Sequence, residues 1–415
     1  MTDERFDILA EISPDAPAAM KELYSNYDKR IYEWAIKLWD PELGGFYHCM
    51  SARETEGFLP DIESTQFLLK MLNDTGMAKA RGGYAAALPK EMSDKVLSFV
   101  NSLADPDGYY YHPQWGKIIK PSKKGRDLIW AQSILANYKK DPIYPFATEQ
   151  MKSGDTTATA AFPEYFSTAE KLRAYFDELW VTKNSYVNGQ TISAQTSMVV
   201  AAGLTHVEEQ FFAEMQNKEN GLWEDEVSYN SISGLLKIGS AYNAMEVLIP
   251  NWEKTLDSAI AYVAGDDVPH ALTGAYNAVN SIDRIITNLK LTGNEDKIPY
   301  VQQKVRENAV AIIRATAKRI ANFRRDDGGF SYFTDVCGPS IQGCPACPGK
   351  IPESDADGTL LSINAAMTIC ELVGVPRIPM FDDSDMEHYL ELISNVKPVK
   401  KLYPRPSDEV MRVKL

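Results

Sequence analysis

No stretch of the chain is long and apolar enough to span a bilayer, and Met1-Thr-Asp-Glu-Arg-Phe6 lacks the basic-then-apolar pattern of a secretory signal. A cytoplasmic protein is expected. Positive charge is short as well: 43 lysines and arginines face 57 acids, for a net charge of −14. That argues against non-specific nucleic-acid binding and against adhesion to an anionic membrane, while local bases still allow an anionic small molecule. Histidine and cysteine number five each in 415 residues. Cys49 and Cys370 stand alone and read as small apolar fillers. Cys337, Cys344 and Cys347 cluster in a turn-rich loop and offer part of a zinc site. No histidine lies near them, and Asp335 is the closest fourth ligand in sequence. A disulfide or plain loop thiols are the other readings, so no cofactor is expected and no metal ligand is assigned. No internal segment has the composition of a domain boundary, so residues 1–415 read as a single domain.

What is present is a recurring phrase. Asp40-Pro-Glu-Leu-Gly-Gly-Phe-Tyr-His48, Asp105-Pro-Asp-Gly-Tyr-Tyr-Tyr-His112, Asn220-Gly-Leu-Trp223 and Arg325-Asp-Asp-Gly-Gly-Phe330 are variants of one theme. Each is an Asp/Asn-Gly turn followed by large aromatics, set between helical segments. Longer, amphipathic segments at 18–39, 90–103, 167–180, 205–217, 252–264 and 299–323 read as outer helices. Smoother segments rich in Ala, Ser, Thr and Gly, at 61–72, 127–138, 193–202, 229–242, 272–289 and 357–372, read as inner helices. Small residues let helices approach closely around a crowded axis. Six pairs predict an all-α fold, an (α/α)6 toroid, with a closing helix at 383–394 and a Pro/Lys-rich tail; an open solenoid is the alternative. The irregular stretch 139–162 reads as a surface loop and candidate lid. The lysine runs at 120–124 and 397–401 read as solvated surface.

In such a fold the phrases and the inner helix N-termini share one end. Carboxylates, histidines and aromatics gathered in one mouth suit sugar chemistry, with rings stacking on pyranose faces and acids supplying protons. The candidate catalytic residues are Asp61, Glu226, Asp355, Asp357, His112 and Tyr229; the candidate binding residues are His48, Tyr110, Trp115, Arg126, Trp223, Tyr276 and Tyr332. Asp61, Glu63, Asp355 and Asp357 also sit where acids cap helices, and the Gly-aromatic phrases also read as turns with core plugs. The expected partner is a small-molecule or oligosaccharide substrate, with no nucleic acid and no membrane. The oligomeric state stays open.

Asp327-Gly-Gly-Phe330, followed by Glu353-Ser-Asp-Ala-Asp-Gly-Thr359 and an Ala-rich helix, resembles the terpenoid cyclase and protein prenyltransferase toroids. The layout is also similar to that of six-hairpin glycosidases and toroid polysaccharide lyases. The cyclase resemblance implies a proton-donating middle acid in Asp-x-Asp-Asp-Thr. Asp355-Ala-Asp357-Gly358-Thr359 matches it, with Gly358 in place of the last Asp. No Asp-Asp-x-x-Asp magnesium motif is visible. The prenyltransferase resemblance implies an Asp-x-Cys zinc pair, matched by Asp335-Val-Cys337, without its histidine. The lyase resemblance implies Tyr/His chemistry with an Asn or Arg on a uronate, roles open to Tyr229-Asn230, Tyr276-Asn277, His48, His112 and Arg126. Uronyl hydrolases of this shape use an inward Asp, for which Asp61 and Asp127 are available. A carbohydrate-active enzyme, glycosidase or lyase, leads; a cyclase protonating through Asp357 and a non-catalytic binding toroid are the alternatives.

Overall fold

Side chains mark where the helices begin. In the computed structural model, which describes residues 3–153 and 164–415, Asp61 caps α1 (Ile62–Asp74) through Ser64 N, and Pro121 opens α2 (Pro121–Asn137). Asn184 caps α3 (Ser185–Ser193) through Val187 N. Ser228 and Ser231 form a reciprocal capping box at α4 (Tyr229–Met245). α5 (Thr273–Leu291) follows, and Asp355 caps α6 (Ala356–Leu372) through Gly358 N. Each cap satisfies a backbone donor that the first turn leaves without an intrahelical partner.

These six helices pack in the order α3, α4, α5, α6, α1, α2, each against the next. Small residues allow the closest approach. A Cβ on Gly234 of α4 would lie 2.1 Å from Ser185 Oγ of α3, and one on Gly189 of α3 would lie 2.9 Å from Ile238 of α4. Outside them, Trp252–Val263 covers α5, Thr205–Met215 packs on α4 and Ala309–Ala321 packs on α5 and α6. One contiguous apolar core runs through these layers, from Phe6 to Ile393. The all-α expectation holds: strand is confined, among the described residues, to two minimal hairpins, Trp39–Asp40 with Gly45–Phe46 and Ser340–Ile341 with Cys344–Pro345.

The four phrases are turns that drive an aromatic plug inward. Gly44, Gly108, Gly221 and Gly328 all take positive φ, from 72° to 115°. Phe46, Tyr110, Trp223 and Phe330 are all buried. Three segments differ from the sequence reading. Residues 18–39 form two helices, Ala16–Tyr24 and Arg30–Lys37, and 299–323 form Ile298–Glu307 and Ala309–Ala321. The helix that packs on α4 in the third position is Ser185–Ser193, ahead of the predicted 193–202, where Thr196–Ala201 is a separate short helix. The candidate lid holds the helix Ala147–Ser153, and its remainder, from 154 on, lies outside the described residues.

The closing helix Asp383–Ser394 packs on Arg30–Lys37. The tail beyond it is a strap rather than free surface: Leu402 N and Tyr403 N donate to Glu54 O, and Lys414 N donates to Gly343 O. Lys401 Nζ donates to Phe58 O at 2.9 Å and lies over the Tyr47 ring. The solvated-surface reading therefore fails for Lys401. It fails also for Lys123, which is fully buried.

Candidate active site

A local design occurs twice. In the first hairpin, Phe46 O accepts from Asp61 N, Thr65 Oγ1 accepts from Phe46 N at 2.9 Å, and Asp61 caps α1. In the last, Phe330 O accepts from Asp355 N, Thr359 Oγ1 accepts from Phe330 N at 3.1 Å, and Asp355 caps α6. Asp61-Ile-Glu-Ser-Thr65 and Asp355-Ala-Asp-Gly-Thr359 are thus one motif, Asp-x-acid-x-Thr. Its middle acids, Glu63 and Asp357, occupy equivalent places at two adjacent helix starts and act on each other electrostatically.

Their surroundings set them apart. Glu63 is fully buried and accepts from Lys123 Nζ at 3.0 Å and from Arg126 through both Nε and Nη2. Burial pushes its carboxyl up, but the Arg126 and Lys123 charges prevail and hold it at about 2. Lys123 also reaches Asp127 Oδ1 at 2.7 Å and lies over the Trp115 ring. Burial lifts Asp127 to about 7 against the pull of Lys123. Asp357 has no such partners: its Oδ1 is inaccessible and makes no hydrogen bond among the described residues. Burial first, then the Glu63 charge, raise Asp357 to about 7. Two acids whose environments drive their protonation apart are a recurrent signature of acid–base sites.

His48 completes this corner. It is buried, and its Nε2–H donates to Gly338 O at 2.9 Å, while Nδ1 is buried without a partner among the described residues. Burial disfavours its charge, but Asp355, Asp357 and Asp61 together raise it to about 9. An unpartnered donor and an unpartnered acceptor oxygen therefore sit in one acidic corner.

Beside it are tyrosines from four elements. Tyr186 and Tyr229 meet edge to face at 5.8 Å, and Tyr229 OH pairs with Thr273 Oγ1 at 2.7 Å. Tyr332 feels Tyr186, Tyr229 and Asp357; Tyr276 feels Arg284 and Arg126. Burial, with Arg126 and Arg284 nearby, lowers Lys237 to about 8, and its ammonium lies 5.9 Å from the centre of the Tyr186 ring. Neither Lys237 nor Arg284 has a carboxylate within ion-pair distance among the described residues, and Arg284 Nε is buried without a partner.

The remaining expected residues divide. Asp61 and Asp355 are occupied as caps: Asp61 holds Ser64 N and Ser64 Oγ, and Asp355 holds the amides of Gly358, Tyr332 and Gly338. Both nitrogens of His112 are engaged, Nε2 with Pro60 O and Nδ1 with Gln114 N, and burial lowers it to about 4. Trp115 stacks on His112 and donates to Pro345 O. Tyr110 and Trp223 are buried in the core, Trp223 donating to Phe212 O. Arg126, half-buried, reaches the site, as do Tyr229, Tyr276, Tyr332 and His48. Glu226 is exposed and lines a separate groove of about 620 Å³ with Trp180, Lys183 and Glu214, which shares no residue with the Asp357 corner.

Sequence reasoning did not bring Lys123, Lys237 or Arg284 to the mouth, and it placed Glu63 and Tyr186 there without choosing them as candidate catalytic or binding residues. The Asp-x-acid-x-Thr repeat was the available signal for Glu63. Lys237 and Arg284 lie mid-helix, where nothing local distinguishes them from surface bases. The three-cysteine reading also changes: Cys344 packs against Trp115 and Ile119, and Cys49, read as a filler, takes its place beside Cys337 and Cys347. No family model, curated protein or solved structure matches this chain.

Proposed function

We propose that the protein is a carbohydrate-active enzyme, a glycosidase or polysaccharide lyase, working at the mouth of an α/α toroid with Asp357 as its proton donor. The observation that carries this reading is the Asp357 carboxyl: half-buried, unpartnered at Oδ1 and held up to about 7 beside an ionised Glu63. Such a group still carries its proton in about half of the molecules at neutral pH and can give it to a leaving oxygen. Glu63, fixed by Lys123 and Arg126, keeps Asp357 protonated through its charge rather than by contact with substrate. Tyr186, Tyr229 and Tyr332 offer faces for sugar rings. Lys237 and Arg284, without carboxylate partners among the described residues, suit a substrate that brings its own, as a uronate does. The consecutive packing of α3 through α2 is compatible with such a toroid.

The cyclase alternative is less well supported. The site is rich in charge where an isoprenoid needs an apolar lining. A side chain at Gly358, where that motif has its last acid, would start 2.5 Å from the Ser331 backbone. A purely binding role leaves a strongly perturbed, unpartnered Asp357 unexplained.

The test is turnover of neutral and uronic oligosaccharides followed by product mass. Asp357→Asn is expected to lower turnover about 10²–10⁴-fold, the usual contribution of a general acid, without loss of folded protein. Unchanged turnover by that variant on a confirmed substrate would remove the assignment. An unsaturated product would mark a lyase, and a hydrated one a glycosidase.

A further inference from the structure

Cys49, Cys337 and Cys347 converge from two ends of the chain. Their sulfurs all lie within 4.8 Å of one another, and all three are buried. Cys337 Sγ and Cys347 Sγ are 3.5 Å apart. A disulfide needs about 2.05 Å; tetrahedral thiolates at about 2.3 Å from zinc stand about 3.8 Å from each other. The observed spacing is that of co-ligands.

The local fold explains the convergence. The hairpin Ser340–Ile341/Cys344–Pro345 pairs Ser340 with Pro345 and continues with Ala346 N donating to Pro339 O, which brings Cys337 and Cys347 together at its base. Cys344, three residues before Cys347, falls on the other side, against Trp115. Cys49, the residue before helix Met50–Glu54, is supplied by the first hairpin. A fourth donor stands beside two of the sulfurs, those of Cys337 and Cys49. Glu353 Oε1 is 3.8 Å from Cys337 Sγ, and its carboxylate is oriented by Ser51 N at 3.0 Å and by the Ser51 hydroxyl. Such outer contacts aim first-shell ligands. No lysine or arginine pairs with Glu353 among the described residues; its neighbours are Ser51, Cys337 and Cys49.

The structure assigns to Cys49, Cys337, Cys347 and Glu353 a buried structural zinc site that joins the first hairpin to the last. Three sulfurs and one oxygen are a donor set for zinc rather than for magnesium or calcium. A closed, buried set places it with structural sites, which contribute folding energy. The assignment is independent of the chemistry at Asp357.

The full chain, expressed with zinc and purified without chelator, is expected to carry one zinc per chain by elemental analysis. Replacement with Co(II) is expected to give a thiolate-to-cobalt charge-transfer band. Cys49→Ser, Cys337→Ser and Cys347→Ser should each lose that band, and Cys344→Ser and Cys370→Ser should keep it. Glu353→Gln should alter the cobalt ligand-field bands. Should the serine variants fail to fold, the wild-type spectrum and Glu353→Gln still decide. Protein with five titratable thiols that takes up neither zinc nor Co(II) overturns the site, as does a Cys337–Cys347 disulfide. A band lost in Cys344→Ser and kept in Cys49→Ser would overturn the ligand set, and ligand-field bands unchanged in Glu353→Gln would overturn Glu353 as the fourth ligand.

Discussion

Burial, and after it the charges of its neighbours, decide whether Asp357 holds a proton. Glu63 is the strongest charge acting on it and raises it; His48 and Arg126 pull it down. A general acid works only while protonated, so kcat/KM is expected to be high below pH 7 and to fall as pH rises through about 7. Removing the Glu63 charge removes the main repulsion. In Glu63→Gln the alkaline limb should therefore move to lower pH. The same change leaves Lys123 and Arg126 short of an anion, at a cost of about 3–5 kcal/mol. A pH–rate profile and a denaturation curve on the one variant check both halves. A limb that stays in place would detach Glu63 from the acid.

At the scale of elements, the paired motif makes a prediction about stability. Thr65 and Thr359 each accept the buried N–H of a phrase phenylalanine. Valine at either position leaves that donor unsatisfied, so Thr65→Val and Thr359→Val should each cost about 1–3 kcal/mol, and by similar amounts. Gly358 has a different constraint. Its missing Cβ is where the backbone of Ser331 and Tyr332 crosses α6, 2.5–2.7 Å away. Gly358→Ala should destabilise by about 1–3 kcal/mol through displacement of that loop. Equilibrium unfolding in urea reads all three.

Most helices were legible because their apolar spacing and their caps agree. Residues 90–103, 205–217 and 252–264 lie within two residues of the observed helices at both ends. The third inner helix was not legible. Ser185-Tyr-Val-Asn-Gly-Gln carries little amphipathic signal and a mid-helix glycine, which is there because Ile238 leaves no room for a side chain. The site was half legible: Asp357, His48, Arg126, Tyr229, Tyr276 and Tyr332 lie in or beside one corner. Caps and candidate proton donors look alike in sequence, since both are acidic residues at a helix start, and only the hydrogen bonds separate Asp355 from Asp357. Lys123 sat in a lysine run whose other members gave no reason to single it out.

For the molecule as a whole, a buried acid away from the site contributes to how stability follows pH. Glu208, on Thr205–Met215, is fully buried, accepts from Thr196 Oγ1 at 2.7 Å and has no partner for Oε2 among the described residues. Burial raises it to about 7. A carboxyl raised on folding contributes stability that is complete below its unfolded value, near 4.5, and is lost as pH climbs through about 7. Its share of that loss is roughly 3 kcal/mol. Glu208→Gln should flatten the decline between pH 5 and pH 8, as read by unfolding at the two values. An equal decline in both proteins would assign the loss to other groups. No helix among the described residues is long and apolar enough to cross a membrane.

The strap formed by the tail has a consequence for the order of assembly. The Glu54 carbonyl is bonded by Leu402 and Tyr403, nearly 350 residues later in synthesis, and Gly343 by Lys414. The loop carrying His48 and Cys49 leaves the ribosome well ahead of its neighbours Gly338, Cys337 and Cys347, His48 and Gly338 being 290 residues apart. Contacts of such separation form late, after the intervening chain has organised. Newborn chains therefore expose an incomplete first hairpin until the strap residues have been made, and a chaperone that holds nascent helices would meet this segment throughout that interval.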